Sequence, residues 1–124
     1  MSHASTLIQQ RMASQYRVES ESRLDFARAS APFLAKAFNA QRVWVFGSVA
    51  RGVASNGSDV DFMVEGGEGM SAKERLSIAY EAINTLDSKY SCDVIVLTEA
   101  EVFEKSSLAF FKELIADRKL VYGN

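Results

Sequence analysis

The sequence predicts an α+β domain, a short mixed β-sheet packed against helices, and three observations lead there. Runs with helical spacing alternate with short β-branched and aromatic runs, and two capping boxes mark helix starts beside those runs. Apolar residues make up 48% of the chain, charged residues 24%, and proline occurs once, a balance that packs a core and does not suit disorder. At 124 residues the chain fits one domain, residues 1–124, with a helical amino-terminal segment (1–40), a core (42–97), and a final helix and tail (98–124).

From Ser5 to Phe38 the pattern is helical, with Leu7, Ile8, Met12 and Tyr16 on one stripe and Leu24, Phe33, Leu34 and Phe38 further on. The polar run Glu19-Ser20-Glu21-Ser22 and the Ala31-Pro32 step both disfavour one straight helix, so two helices or one kinked helix are expected. Arg42 to Phe46 is a strand ending at Gly47, and Asp59 to Val64 alternates acidic and apolar residues as a second strand whose two acids share a face. Ser71-Ala72-Lys73-Glu74 is a capping box that opens a helix running to about Lys89. Asp93 to Leu97 is a third strand, and the box Thr98-Glu99-Ala100-Glu101 starts a final helix carrying Leu108, Phe111, Leu114 and Ile115. Trp44, Phe46, Phe62, Tyr80 and the phenylalanines of the last helix read as core residues.

Several function classes fall away on composition. The formal charge of −2 provides no overall basic field, so binding to long nucleic acid is not expected while nucleotide-sized substrates remain open. No apolar run approaches the ~20 residues a membrane span needs, and MSHASTLIQQ lacks the basic-then-apolar order of a secretory signal. Cys92 is the single cysteine, which suits a reducing compartment and a cytoplasmic location. Beside Asp93, it reads as a small buried residue and not an activated thiolate.

The strand, helix, strand succession from Asp59 to Leu97 reads as a crossover unit joining two parallel strands. Parallel neighbours start at the same sheet edge, so Asp93 is expected near Asp59 and Asp61. Three such carboxylates repel, by about 4 kcal/mol for a pair ~4 Å apart at an effective dielectric of 20, and therefore call for cations or raised pKa values. Magnesium suits an all-oxygen donor set, and the chain has neither a sulfur nor a histidine cluster for zinc. In a two-ion site Asp59 and Asp61 bridge both ions, while Asp93 completes the one at the nucleophile and can accept a proton from an acceptor hydroxyl.

Ahead of these acids, Gly47-Ser48 closes the first strand, and ten residues containing Arg51 and an Asn56-Gly57 turn signal separate Ser48 from Asp59. Gly47 lets the backbone approach a bulky anion, and Ser48 at a helix start adds its hydroxyl to free amides that favour phosphate. Arg51, three positions on, can clamp a triphosphate on the same side of a short helix. Gly66-Gly67-Glu68-Gly69 lacks the lysine and spacing of a phosphate-binding loop and reads as a connection.

VWVFGSVARG followed by SNGSDVDFMVE resembles the signature of the minimal nucleotidyltransferases (MNT), within the DNA polymerase beta superfamily. The likeness covers about Arg42 to Leu97, and Leu120-Val121-Tyr122 is similar to the usual end of such domains. The resemblance implies a palm-like nucleotidyltransferase fold, two Mg2+ ions, ATP or another nucleoside triphosphate as substrate, Gly47 and Ser48 at the phosphates, and Asp59, Asp61 and Asp93 as metal ligands. Many small members are antitoxins paired with a helical HEPN ribonuclease toxin, some transferring AMP to a toxin tyrosine, and this chain resembles that type. Two alternatives stand beside transfer to a toxin: a non-catalytic antitoxin that acts by binding, and transfer to a small molecule such as an antibiotic, with a homo-oligomer completing the pocket.

Overall fold

A computed structural model of the chain describes residues 3–86 and 88–124, without the side chain of His3. The expectation for the extreme amino terminus at Met1 and Ser2 lies outside these residues. The elements run α1 (His3–Phe38), β1 (Arg42–Phe46), α2 (Gly47–Arg51), β2 (Val60–Glu65), α3 (Ala72–Thr85), β3 (Cys92–Leu97), α4 (Glu99–Lys105), α5 (Ala109–Asp117) and β4 (Lys119–Tyr122). The sheet order is β3-β2-β1-β4, with β2 parallel to β3 and β1 antiparallel to both β2 and β4. This is the mixed sheet expected.

Side chains alternate across a strand, so each strand feeds two layers. Val43 and Val45 of β1, Val60, Phe62 and Val64 of β2, and Val94 and Val96 of β3 face α1 and α3, where Ala27, Ala31, Leu34, Phe38, Ala79 and Ala82 complete the larger core. The opposite parity, Trp44, Phe46, Met63 and Ile95, packs against Val102 of α4 and Phe111, Leu114 and Ile115 of α5. Not every predicted core aromatic is inside. Tyr80 is 71% exposed and Phe103 81%, because each sits on the outer side of a helix whose inner positions are already filled.

Of the two forms expected for the first segment, two helices or one kinked helix, the division into two is not seen, since α1 continues through both suspected interruptions. The polar run docks the helix instead of ending it: Ser20 Oγ accepts the Ala54 amide at 2.9 Å, Ser22 bonds the Tyr90 hydroxyl, and Glu19 pairs with Arg23. Pro32 is exposed and lies four residues after exposed Arg28, so the backbone donor it lacks is missing on the solvent side, where water can substitute.

Helix α3 ends at Thr85, short of Lys89, because Ser88 Oγ donates to the Tyr90 carbonyl and accepts its amide, closing a local turn. The predicted final helix is two helices. Ser106 donates through its hydroxyl to the Phe103 carbonyl at 2.7 Å and breaks the ladder between α4 and α5. Both capping boxes form as read, at Ser71 with Glu74 and at Thr98 with Glu101. Strand β4, unassigned from sequence, is held at β1 and by Gly123, whose φ of +93° sets the chain so close to Gln41 that a Cβ would meet its carbonyl at 2.2 Å.

Candidate active site

In the parallel ladder Asp61 pairs directly with Asp93, and Asp59, two residues before Asp61, projects to the same face. The hydrophobic neighbours hold this geometry. Val60 and Phe62 on either side of Asp61 are fully buried, so the acid is fixed facing the other way. One carboxylate oxygen from each of Asp59, Asp61 and Asp93 lies within 4.8 Å of the others, the convergence expected from strand order.

Asp61 carries the electrostatic consequence. Its pKa is pushed up to about 6, first by burial and then by the charges of Asp93 and Asp59, with Arg51 opposing them. A carboxyl held out of water beside two others favours a proton or a cation in their midst. The donor set is all carboxylate oxygen, which fits a hard divalent ion such as Mg2+. The Cys92 thiol, beside the site in sequence, faces the α1/α3 core; burial pushes its pKa up, which keeps it unreactive.

Gly47 has two reasons to be glycine. Its φ is +72°, and a Cβ there would stand 2.5 Å from Asp61 Oδ2. The backbone at the head of α2 therefore comes directly against the central acid, and Phe46, at the N-cap, makes no side-chain capping bond to the first amides. Ser48 lies in this first turn. Arg51, at the end of α2, forms an ion pair with Asp117 of α5 at 3.6 Å. It is half-exposed and close enough to Asp61 to lower that acid's pKa, which suits an anion clamp without fixing one.

A buried arginine that sequence reasoning passed over positions the loop between Ser48 and Asp59. Arg23, only 2% exposed, donates to the Ser58 carbonyl and to the Asn56 carbonyl, each at 3.0 Å, and its guanidinium lies over the Tyr90 ring. The Asn56-Gly57 turn forms where its signal predicted. The bonds tie Ser58, and through it Asp59, to the long helix. A signal did exist: Arg23 falls in register with Ala27, Ala31 and Leu34 on the helix's apolar stripe, where an arginine must have buried partners.

The nucleotidyltransferase domain model matches residues 30–121. The chain belongs to that family. It is similar in fold to a putative nucleotidyltransferase from Sulfolobus solfataricus, with 24% identity and a TM-score of 0.56 over 88% of this chain and 85% of that one. It is also similar to a chain from a toxin-antitoxin crystal structure with AMP-PNP, with 19% identity and a TM-score of 0.56 over 78% of this chain and 73% of that one. A weaker likeness, TM-score 0.43 at 16% identity, is to a chain of the tri-AMPylated Shewanella oneidensis HEPN toxin in complex with MNT antitoxin, over 88% of this chain and 73% of that one. No curated protein is similar in sequence to this chain. Among the described residues no helix is long and apolar enough to cross a membrane.

Proposed function

We propose that the chain is a Mg2+-dependent nucleotidyltransferase that moves AMP from ATP to a hydroxyl, the acceptor being a tyrosine of a helical HEPN-type toxin that it thereby restrains as an antitoxin. The observation that carries the reading is the joining of the Asp59, Asp61 and Asp93 cluster to the Gly47 backbone at the head of α2. Bound Mg2+ supplies charge neutralisation at the reacting phosphate and leaving group. Asp59, Asp61 and Asp93 hold it, the α2 amides and Ser48 hydroxyl receive the distal phosphates, and Arg51 steadies their negative charge.

Transfer then needs one proton move and one exchange of bonds. The acceptor oxygen bonds to the α-phosphorus, its proton passes to the Asp93 carboxylate, and the bond from the α-phosphorus to the β-phosphate's bridging oxygen breaks to release pyrophosphate. Asp93 suits the acceptor side because it is exposed and lies on β3, across β2 from the phosphate-binding end of β1. The similar fold in a toxin-antitoxin structure with AMP-PNP supports the choice of nucleotide and partner.

Calorimetry with ATP and the other nucleoside triphosphates, with and without Mg2+, tests the site. Binding that needs both Mg2+ and an intact Asp61, lost in Asp61→Ala, is the expected result. With labelled ATP, the wild-type chain should label a helical toxin encoded beside it and the variant should not. Metal-independent binding, or equal labelling by both proteins, overturns the reading.

A further inference from the structure

Helix α5 turns one aromatic ring away from the core it helps to build. Its inner stripe is filled by Phe111, Leu114 and Ile115, which pack with Phe46, Met63 and Trp44. Phe110 stands about 100° around the helix from Phe111 and is 54% exposed. Two contacts fix what its flank faces. Asp117 follows Phe110 by seven residues, so the two side chains leave α5 within about 20° of one another. Asp117 pairs with Arg51, the last residue of α2, at 3.6 Å. Phe110 meets Phe46, at the N-cap of α2, with ring centroids 6.3 Å apart. Helix α2 therefore lies along this flank, its tail at Asp117 and its head at Phe110.

The head of α2 is also where the chain meets the acids. Phe46 is the cross-strand partner of Asp61, and a Cβ on Gly47 would stand 2.5 Å from Asp61 Oδ2. Phe110 thus borders the carboxylate cluster and the phosphate-binding turn at once. Its ring is braced there. Phe46 and Phe111 meet it nearly perpendicularly, at 90° and 87°, with the Phe111 centroid 5.2 Å away, a favourable aromatic geometry. Phe46 is itself buried, so the brace rests on the core. A braced apolar ring beside three carboxylates offers nothing to a metal ion or a phosphate. It suits a flat π-system carried on the same ligand as the phosphates, which is a nucleobase.

We infer that Phe110 is the base platform of the site, its exposed ring stacking on the nucleobase of the triphosphate whose phosphates lie at α2 and the acids. The inference rests on the nucleotide site proposed above and adds the residue that holds the nucleoside end. Stacking uses a π-face that every base has, so Phe110 supplies affinity and little choice among bases. Phe103 is the natural control: it is more exposed, at 81%, but sits on α4.

Calorimetry of the full chain in Mg2+ with three ligands, ATP, GTP and inorganic tripolyphosphate, tests it. Phe110→Ala should weaken ATP and GTP about tenfold each and leave tripolyphosphate unchanged. Phe110→Leu, which keeps an apolar side chain against Phe46 but has no π-face, should weaken both nucleotides likewise, and Phe110→Trp should bind them as the wild type does. Phe103→Ala should bind all three ligands normally. Thermal unfolding verifies that each variant is folded. Undiminished ATP binding by Phe110→Ala or Phe110→Leu, or an equal loss of ATP and tripolyphosphate in Phe110→Ala, overturns the inference and leaves the metal and phosphate reading standing. If neither ATP nor tripolyphosphate binds the wild type, the proposed site fails and this inference fails with it.

Discussion

Asparagine in place of Asp61 should make the metal-free protein more stable. Asp61 is raised from its ordinary 3.8 to about 6 by burial and by Asp93 and Asp59. At neutral pH the folded chain therefore holds an ionised carboxylate in a place that resists it. That displacement corresponds to about 3 kcal/mol if all of it separates folded from unfolded chain, and to roughly half that once solvent screening at a half-buried group is counted. For a chain of this length about 1.5 kcal/mol is worth roughly 6 °C in Tm. The sign follows from proton binding. Between about pH 4 and 6 the folded state binds the proton more tightly than the unfolded one, so wild-type stability falls as pH rises through this window and levels off above it. Thermal unfolding in excess chelator should thus show Asp61→Asn level with wild type near pH 3.5 and about 6 °C above it at pH 7.5. Adding Mg2+ at pH 7.5 should raise the wild type and leave the variant nearly unmoved. A variant no more stable than wild type at pH 7.5, or a gain that persists undiminished at pH 3.5, refutes the electrostatic account.

Gly47→Ala should abolish Mg2+-dependent nucleotide binding in calorimetry and lower stability by about 1–2 kcal/mol, because the added Cβ adopts a left-handed backbone and strikes Asp61 Oδ2. In Arg23→Met the Asn56 and Ser58 carbonyls lose their donor; hydrogen exchange of residues 53–59 should quicken, and Mg2+ affinity should fall several-fold as Asp59 loosens. Glu65→Gln should cost about 3 kcal/mol in urea unfolding, since it removes the charge that Arg42 and Arg118 share in a nearly closed site; a loss below about 1 kcal/mol would contradict that assignment.

The acidic site was legible because it rests on short-range rules. Period-two alternation puts Asp59 and Asp61 on one face, and the strand-helix-strand order brings Asp93 beside them, so no distant contact had to be guessed. The α2 turn was likewise written in Gly47 and the three-residue step from Ser48 to Arg51. What stayed hidden depends on long-range partners. Strand β4 has four residues at the sheet edge, opened by Lys119, and forms because Arg118 stacks on Trp44 at 3.9 Å and bonds Glu65, residues far away in sequence. The continuity of α1 could not be read for the same reason: the serines and glutamate that suggested a break find their partners at Ala54, Tyr90 and Arg23. The family resemblance, centred on residues 42–97, gave no purchase on the first helix, and at the other end it likened Leu120-Val121-Tyr122 to the usual close of such domains without assigning a strand.

Strand β2 carries an internal comparison that supports the proposed ion site. Asp61 and Glu65 lie on one face of the same strand, four residues apart, and both are drawn out of water. Glu65 is answered within the protein: the Trp44 indole donates at 2.7 Å, and Arg118 and Arg42 donate at 3.1 and 3.2 Å. Asp61 has the opposite surroundings, two further carboxylates and a single arginine whose ion pair is with Asp117. Had the fold needed Asp61 only for stability, a closer cation of its own would have lowered its energy, as at Glu65. Leaving three acids together costs stability in the metal-free chain, a cost that the divalent cations of the proposed reaction would offset on binding. The asymmetry between the two ends of one strand thus separates an acid with its own cations from one that has none, as the proposed chemistry requires.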